Sequence, residues 1–317
     1  MTKNLKYTAL CLLVTLLAIA CSKDGADGNE VTNRNEAKKE IGIKPDVWKM
    51  AEATRAITYD NSALVSSGFK CTAYNAETAV VNTDAEISNT TVTWNGSRWV
   101  FDGGSRYWPT SGSLDFFAYA PSLKPGYITA GPTYSYSGGQ HVAFTCSSLP
   151  VTSSGQSSIT EFVYALAANQ NEENAGATGV ALNFLHPFSL VKLQLAANHP
   201  DITIHSVTFR TVKNGGTYDN GWTSVDGNEN LVWTIDADFN KNTSARPIGD
   251  SFLVIPQNWG GEIVVNADCL YWGEKKNYPS LTTTVPTNWQ PGYSYTYTFN
   301  ISPDDLIVNI SKFTEQW

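Results

Sequence analysis

Apolar residues recur at every second position through most of the chain, in runs of five to eight separated by turn residues. Side chains of a strand alternate between two faces, so this period marks strands with one buried side. Glu40–Val47 opens the pattern, with Ile41, Ile43 and Val47 on one face. Gly68–Ala76 follows, with Phe69, Cys71 and Ala73 on one face. Thr90–Trp94 and Arg98–Phe101 flank Asn95-Gly96-Ser97 and predict a hairpin, because Asn-Gly favours turns that match strand twist. Leu114–Ala120, Gln140–Cys146 and Glu161–Ala167 are further strands; adjacent Phe116 and Phe117 point to opposite faces, so their strand is expected to pack on both sides. Asn169–Gly179 is a polar, glycine-containing break. Beyond it, Val180–Leu185, Leu190–Leu195, Ile202–Phe209, Ser251–Ile255, Glu262–Leu270, Tyr293–Ile301 and Leu306–Ile310 read as strands, and Asp226-Gly227 predicts a second hairpin within Trp222–Trp233. No long amphipathic helical run and no fixed-period repeat interrupts them. The expected fold class is all-β, with one β-sandwich in each half.

The N-terminus departs from this pattern. Lys3 and Lys6 precede an apolar stretch, Leu10–Ala20, that is too short to span a bilayer permanently and reads as a cleaved export signal. It ends Leu17-Ala18-Ile19-Ala20-Cys21, which resembles a bacterial lipobox. That resemblance implies cleavage before Cys21, acylation of Cys21 and attachment to the outer membrane; several acyl chains give the lasting attachment that one does not. Ser22–Lys39 is polar and reads as a tether. The expected organisation is residues 1–20 signal, 21–55 acylated tether and N-terminal strand, 56–175 a first sandwich, and 176–317 a second.

Charge removes one class of partner. The chain carries −8, and the nine basic and seven acidic residues up to Arg55 leave −10 on the rest. Such a surface repels nucleic acid. Only 12 Lys and Arg lie among the 262 residues after Arg55, so Thr54-Arg55-Ala56 stands out. It is either a solvated linker arginine or the site where an Arg-specific, trypsin-like protease cuts between Arg55 and Ala56. Cys71, Cys146 and Cys269 show no metal-binding spacing; they are either one bridge and one buried thiol or three buried thiols, of which the second is the expectation.

Catalytic patterns do not assemble. Gly249-Asp250-Ser251-Phe252 resembles an esterase nucleophile block, but it sits late in an all-β pattern and the last histidine, His205, lies upstream. Asp236-Ala237-Asp238 begins like a calcium loop, yet Lys241 replaces the required glycine. Neither an enzyme nor a cofactor or metal site is expected.

Several segments together resemble the fimbrillin family of Bacteroidales type V pili. They are Ala53-Thr54-Arg55-Ala56, Tyr107-Trp108-Pro109, Leu114–Tyr119, Leu182–Pro187, Phe252–Gln257 and Trp289–Tyr297. The resemblance implies two tandem transthyretin-like β-sandwich domains, lipoprotein export, cleavage after Arg55, and polymerisation with other pilus subunits by strand exchange. In that scheme the strand bearing Ile41, Ile43 and Val47 leaves and another subunit's strand takes its place. Leu306, Val308 and Ile310 share one face and make Leu306–Ile310 a candidate donor; equally, that run is the last strand of its own sandwich. A host or bacterial surface ligand would be a further partner. The alternative class is a surface glycan-binding lipoprotein with Trp222, Trp259, Trp272 or Trp289 as a stacking platform.

Overall fold

The computed structural model describes residues 38–47, 59–271, 273–302 and 305–313. The first half runs β1 (Ile43–Val47), α1 (Asn61–Ser67), β2 (Phe69–Asn75), β3 (Thr90–Trp94), β4 (Trp99–Phe101), β5 (Leu114–Ala120), β6 (Ile128–Tyr136), β7 (Gln140–Cys146), α2 (Ser153–Gln156), β8 (Val163–Gln170) and α3 (Glu172–Ala175). β9 (Val180–Phe184), β10 (Ser189–Leu195), β11 (Ile202–Val212), β12 (Gly215–Asp219), β13 (Trp222–Asp226) and β14 (Glu229–Phe239) come next. The chain closes with β15 (Arg246–Pro247), β16 (Phe252–Val254), β17 (Asn258–Trp259), β18 (Glu262–Tyr271), β19 (Glu274–Thr284), β20 (Thr287–Asn288), β21 (Ser294–Ser302) and β22 (Asp305–Phe313). The fold is all-β.

A central sheet, β4-β3-β2-β5-β8, has a core on each face. Phe116 of β5 enters one core, beside Trp108, Leu114 and Phe184. Its neighbour Phe117 enters the other, beside Tyr134, Phe144 and Phe162. The opposed Phe pair therefore does as the sequence suggests: it marks a middle strand buried on both sides. The second core is closed by the sheet β13-β12-β7-β6, in which Gly216 of β12 pairs with Cys146 of β7. Strands on either side of residue 175 thus share one sheet, and β9 packs its Val180, Leu182 and Phe184 in the first core.

A third core lies between the sheet β15-β10-β21-β22, with β16 also on β10, and the sheet β14-β11-β18-β19. Trp233 stacks on Phe252 at 4.0 Å, and Trp259 stacks on Phe209 and Trp289 at 4.7 and 5.1 Å. Cys71, Cys146 and Cys269 are free and buried, one in each core.

The predicted hairpin at Asn95-Gly96 forms, with Trp94 opposite Trp99. The hairpin expected at Asp226-Gly227 does not. Asp226 pairs with Gly215, while Glu229 pairs with Val212 in another sheet. Gly227, at φ +86°, carries the chain from one sheet to the next rather than back along the same one.

Candidate functional site

The site that the chain builds around its N-terminal strand begins with alternation. Ile41, Ile43 and Val47 are 2%, 8% and 1% exposed, whereas Gly42, Lys44 and Asp46 face outward. Among the described residues β1 pairs with β9 alone, in parallel, with Ile43 opposite Val180 and Val47 opposite Phe184. Just ahead of it the chain pairs on a different side: Ile41 N–H donates to the Arg106 carbonyl at 2.7 Å, and Trp108 N–H donates to the Lys39 carbonyl at 3.0 Å. The strand therefore lies in a bed formed by β9 and residues 106–108, over the core of Phe69, Phe116 and Phe184. Pro45 has no N–H to offer, which suits a strand paired in a two-stranded sheet.

Both ends are held by side chains. Glu40 accepts from Ser105 Oγ at 2.8 Å and pairs with Arg98 Nη1 at 3.3 Å. Lys39 pairs with Glu172 at 3.5 Å. All four charged groups are well exposed, so these pairs orient the strand more than they stabilise it. At the other end Asn61 is a two-way clamp: its Oδ1 accepts from Val47 N–H at 2.8 Å and its Nδ2 donates to Asp46 at 2.7 Å. Asn61 opens α1, whose N-cap Asp60 accepts from Ala63 N–H at 2.8 Å. A cleft of about 380 Å³ lies over Gly42, lined by Glu40, Arg98, Trp99, Phe101, Ser105 and Gly179 among others.

Cys21, Arg55 and Ala56 lie outside the described residues. Tyr59, three positions past Ala56, is pinned. Its N–H donates to Glu161 Oε2 at 3.1 Å, and Glu161 Oε1 meets His186 Nδ1 at 2.9 Å, with both side chains buried. The Tyr59 hydroxyl bonds the Ser67 hydroxyl and donates to the Gly68 carbonyl. Burial pushes that phenol up to about 12. His186 is thus a partnered core histidine. The roles of Glu161, Asn61, Arg98 and Ser105 had no signature in the sequence, because each acts on a partner at least 14 residues away.

The C-terminal run is a strand of its own sheet. β22 lies antiparallel to β21, with Leu306, Val308 and Ile310 opposite Ile301, Phe299 and Tyr297. It stands at the end of that sheet's order, and Ile307 and Asn309 face solvent. β22 and β1 belong to different sheets.

Among the described residues the three candidate tryptophans do not come together as an exposed aromatic platform. Trp259 and Trp289 are buried in the third core, and Trp222 packs against Phe144 and Phe188 while donating to the Pro187 carbonyl at 2.6 Å. Trp259 stacks on both Trp289 and Phe209 inside the core rather than facing a sugar, and Trp222 is half-buried. Trp272 lies outside the described residues. Among the described residues no group of acidic, histidine or cysteine side chains is arranged to hold a metal ion, and no helix is long and apolar enough to cross a membrane.

Residues 54–317 match the fimbrillin-like family. The chain belongs to the fimbrillin-like family. The matched span takes in the second and third cores and all of the first except Ile41, Ile43 and Val47, leaving β1 ahead of it. Among solved structures, this fimbrillin-like chain is similar to a fimbrial protein from Bacteroides vulgatus. The TM-score is 0.64 at 17% identity, over 88% of this chain and 99% of that one. It is also similar to candidate cell adhesion proteins from Bacteroides ovatus and Bacteroides uniformis. Their TM-scores are 0.52 and 0.50 and their identities 16% and 15%; the similarity covers 87% and 86% of this chain and 96% and 98% of theirs. At these identities the likeness shows the fold. No curated protein sequence matches the chain.

Proposed function

We propose that the chain is a structural and adhesive subunit of a type V pilus, exported as a lipoprotein acylated on Cys21, cut between Arg55 and Ala56, and assembled by strand exchange at the cell surface. The observation that carries this reading is the segment Ile41–Val47: its Ile41, Ile43 and Val47 are buried, its strand β1 pairs among the described residues with β9 alone, and the sequence that joins it to the body contains Arg55. A cut at Arg55 severs β1 from the chain. It leaves the new N-terminus three residues from Tyr59, which the buried Glu161 holds. The strand can then leave with the Tyr59–Glu161 bond intact, losing the two Asn61 bonds that clamp Asp46 and Val47.

Its departure exposes the side of β9 that paired with β1, together with the core beneath. An open edge of that kind templates another strand, and insertion restores both the ladder and the burial. Burying three such side chains contributes about 5–8 kcal/mol before ordering costs. Leu306–Ile310 is the candidate donor, leaving its own sheet for a neighbour's bed. The domain organisation we favour is two sandwich units joined through the shared second core. Other subunits, an Arg-specific protease, the outer membrane and a surface ligand are the partners this function requires.

The test is to treat the folded chain with an Arg-specific protease and read the new N-terminus by mass spectrometry. The expected product begins at Ala56 and forms a ladder of multimers on unboiled gels that collapses on heating. A chain ending at Pro303 is expected to fold and to be cut but not to polymerise. Normal polymerisation of that truncated chain refutes the donor assignment. A surface form that keeps acylated Cys21 in nearly every copy refutes processing.

A further inference from the structure

The bed of β1 has one feature that discriminates between strands. At Gly42 and Gly179 the two backbones approach closely. Gly179 has φ +87°, and a Cβ built there would lie 2.3 Å from the Gly42 carbonyl carbon and 2.5 Å from its oxygen. A Cβ at position 42 would lie 3.3 Å from the Gly179 Cα. Neighbouring strands ordinarily lie about 4.7–4.9 Å apart, with each Cβ clear of the facing backbone. Alanine at position 42 is therefore at the limit, and a β-branched side chain, stiff at its first torsion and less free to turn its atoms into the cleft above, fits worse. The strand cannot lift away locally, because Ile41 and Ile43, on either side of the glycine, are both buried. Immediately ahead, Arg98 and Ser105 both address the Glu40 carboxylate.

Resting on the strand-exchange reading, we propose that the Gly42–Gly179 contact selects the incoming strand. The bed takes a strand with an acidic residue, then an apolar one, then a compact one, then an apolar one, and it disfavours bulk at the third position. The C-terminal run of this chain does not meet that requirement. Suppose two of Leu306, Val308 and Ile310 occupy the Ile41 and Ile43 positions, in either direction. The residue between them is then Ile307 or Asn309. Matching Asp305 to Glu40, so that a carboxylate faces Arg98, sets the β-branched Ile307 on the glycine. A second copy of this chain can thus enter the bed, as a self-assembled ladder requires, but a strand with a compact residue there displaces it. The preferred partner is a different subunit whose donor strand carries glycine, alanine or serine at that point, while β22 serves a bed built with more room.

Peptide exchange on the full chain cut at Arg55 tests this. A fluorescein-labelled peptide of residues 39–47 reports displacement by four unlabelled peptides: the same sequence, its Gly42→Ile variant, residues 305–313, and their Ile307→Gly variant. Gly42→Ile is expected to bind at least tenfold more weakly than its parent, and Ile307→Gly at least fivefold more tightly than its own. Equal affinities within each pair, with the labelled peptide exchanging normally, overturn the glycine requirement and leave strand exchange standing. A labelled peptide that neither leaves nor rebinds overturns strand exchange, and the selection rule with it.

Discussion

Ile41→Ala separates the two states that strand exchange connects. In the uncut chain Ile41 is 2% exposed in the first core, beside Trp108 and Phe116. The substitution removes three carbons, a loss of about 2.4 kcal/mol at about 0.8 kcal/mol per buried carbon. The cavity left behind raises this to about 3–4 kcal/mol, within the range of about 2–5 for such truncations. For a chain of this size about 1 kcal/mol moves Tm by roughly 2–4 °C, so a fall of about 6–16 °C is expected. The assay is thermal unfolding of the chain beginning at Ser22, before and after cutting and assembly. Once β1 has been replaced by a neighbour's strand, position 41 no longer belongs to the folded subunit, and the assembled material should melt where the parent does. A loss below about 2 °C in the uncut chain refutes the burial argument. An equal loss in the assembled form shows that β1 never left.

Gly179→Ala places a Cβ inside the Gly42 carbonyl, so the uncut chain should lose several degrees of Tm and rebind the 39–47 peptide poorly after cutting; unchanged rebinding contradicts the close contact. His205 lies 3.1 Å from both Asp268 and Asp236, and those hydrogen bonds, that to Asp268 first, raise its pKa. A group raised on folding stabilises fully below its unfolded value, about 6.5, and loses that contribution as pH rises through the folded value. The urea midpoint should therefore separate parent from His205→Asn more at pH 5.5 than at pH 9, and an equal separation refutes the assignment. Burial pushes the Cys146 thiol up to about 12, and it raises Cys71 and Cys269 as well. In the chain beginning at Ser22 none should react with a disulfide reagent at pH 8 until urea unfolds it, when three react; one fast native thiol is enough to sink this.

Most strands are legible from the residues alone, because alternation is a local consequence of strand geometry. Ile41, Ile43 and Val47 announce a buried face before any partner is known, and Phe116 beside Phe117 announces a strand with two. The short-range Asn95-Gly96 hairpin and the family resemblance are legible in the same way, whereas the choice between a bridge and three free thiols is made by packing, which puts Cys71, Cys146 and Cys269 in separate cores. β19 is not legible, since its Glu274–Thr284 run is a polar edge strand with little burial to imprint a period. Nor does the sequence tell that Asp226-Gly227 leads between sheets, since a turn dipeptide sets a local bend and not the partner of the strand it releases. It takes the packed chain to pair β1 with β9, more than 130 residues away, and to fill a core with Trp259 and Trp289. Packing also presses Gly179 onto Gly42 and sets Glu161 beneath Tyr59. Each of these is a contact between segments remote in the chain. What selects such contacts is the burial of faces against one another, a property of the packed whole that no window of neighbouring residues contains.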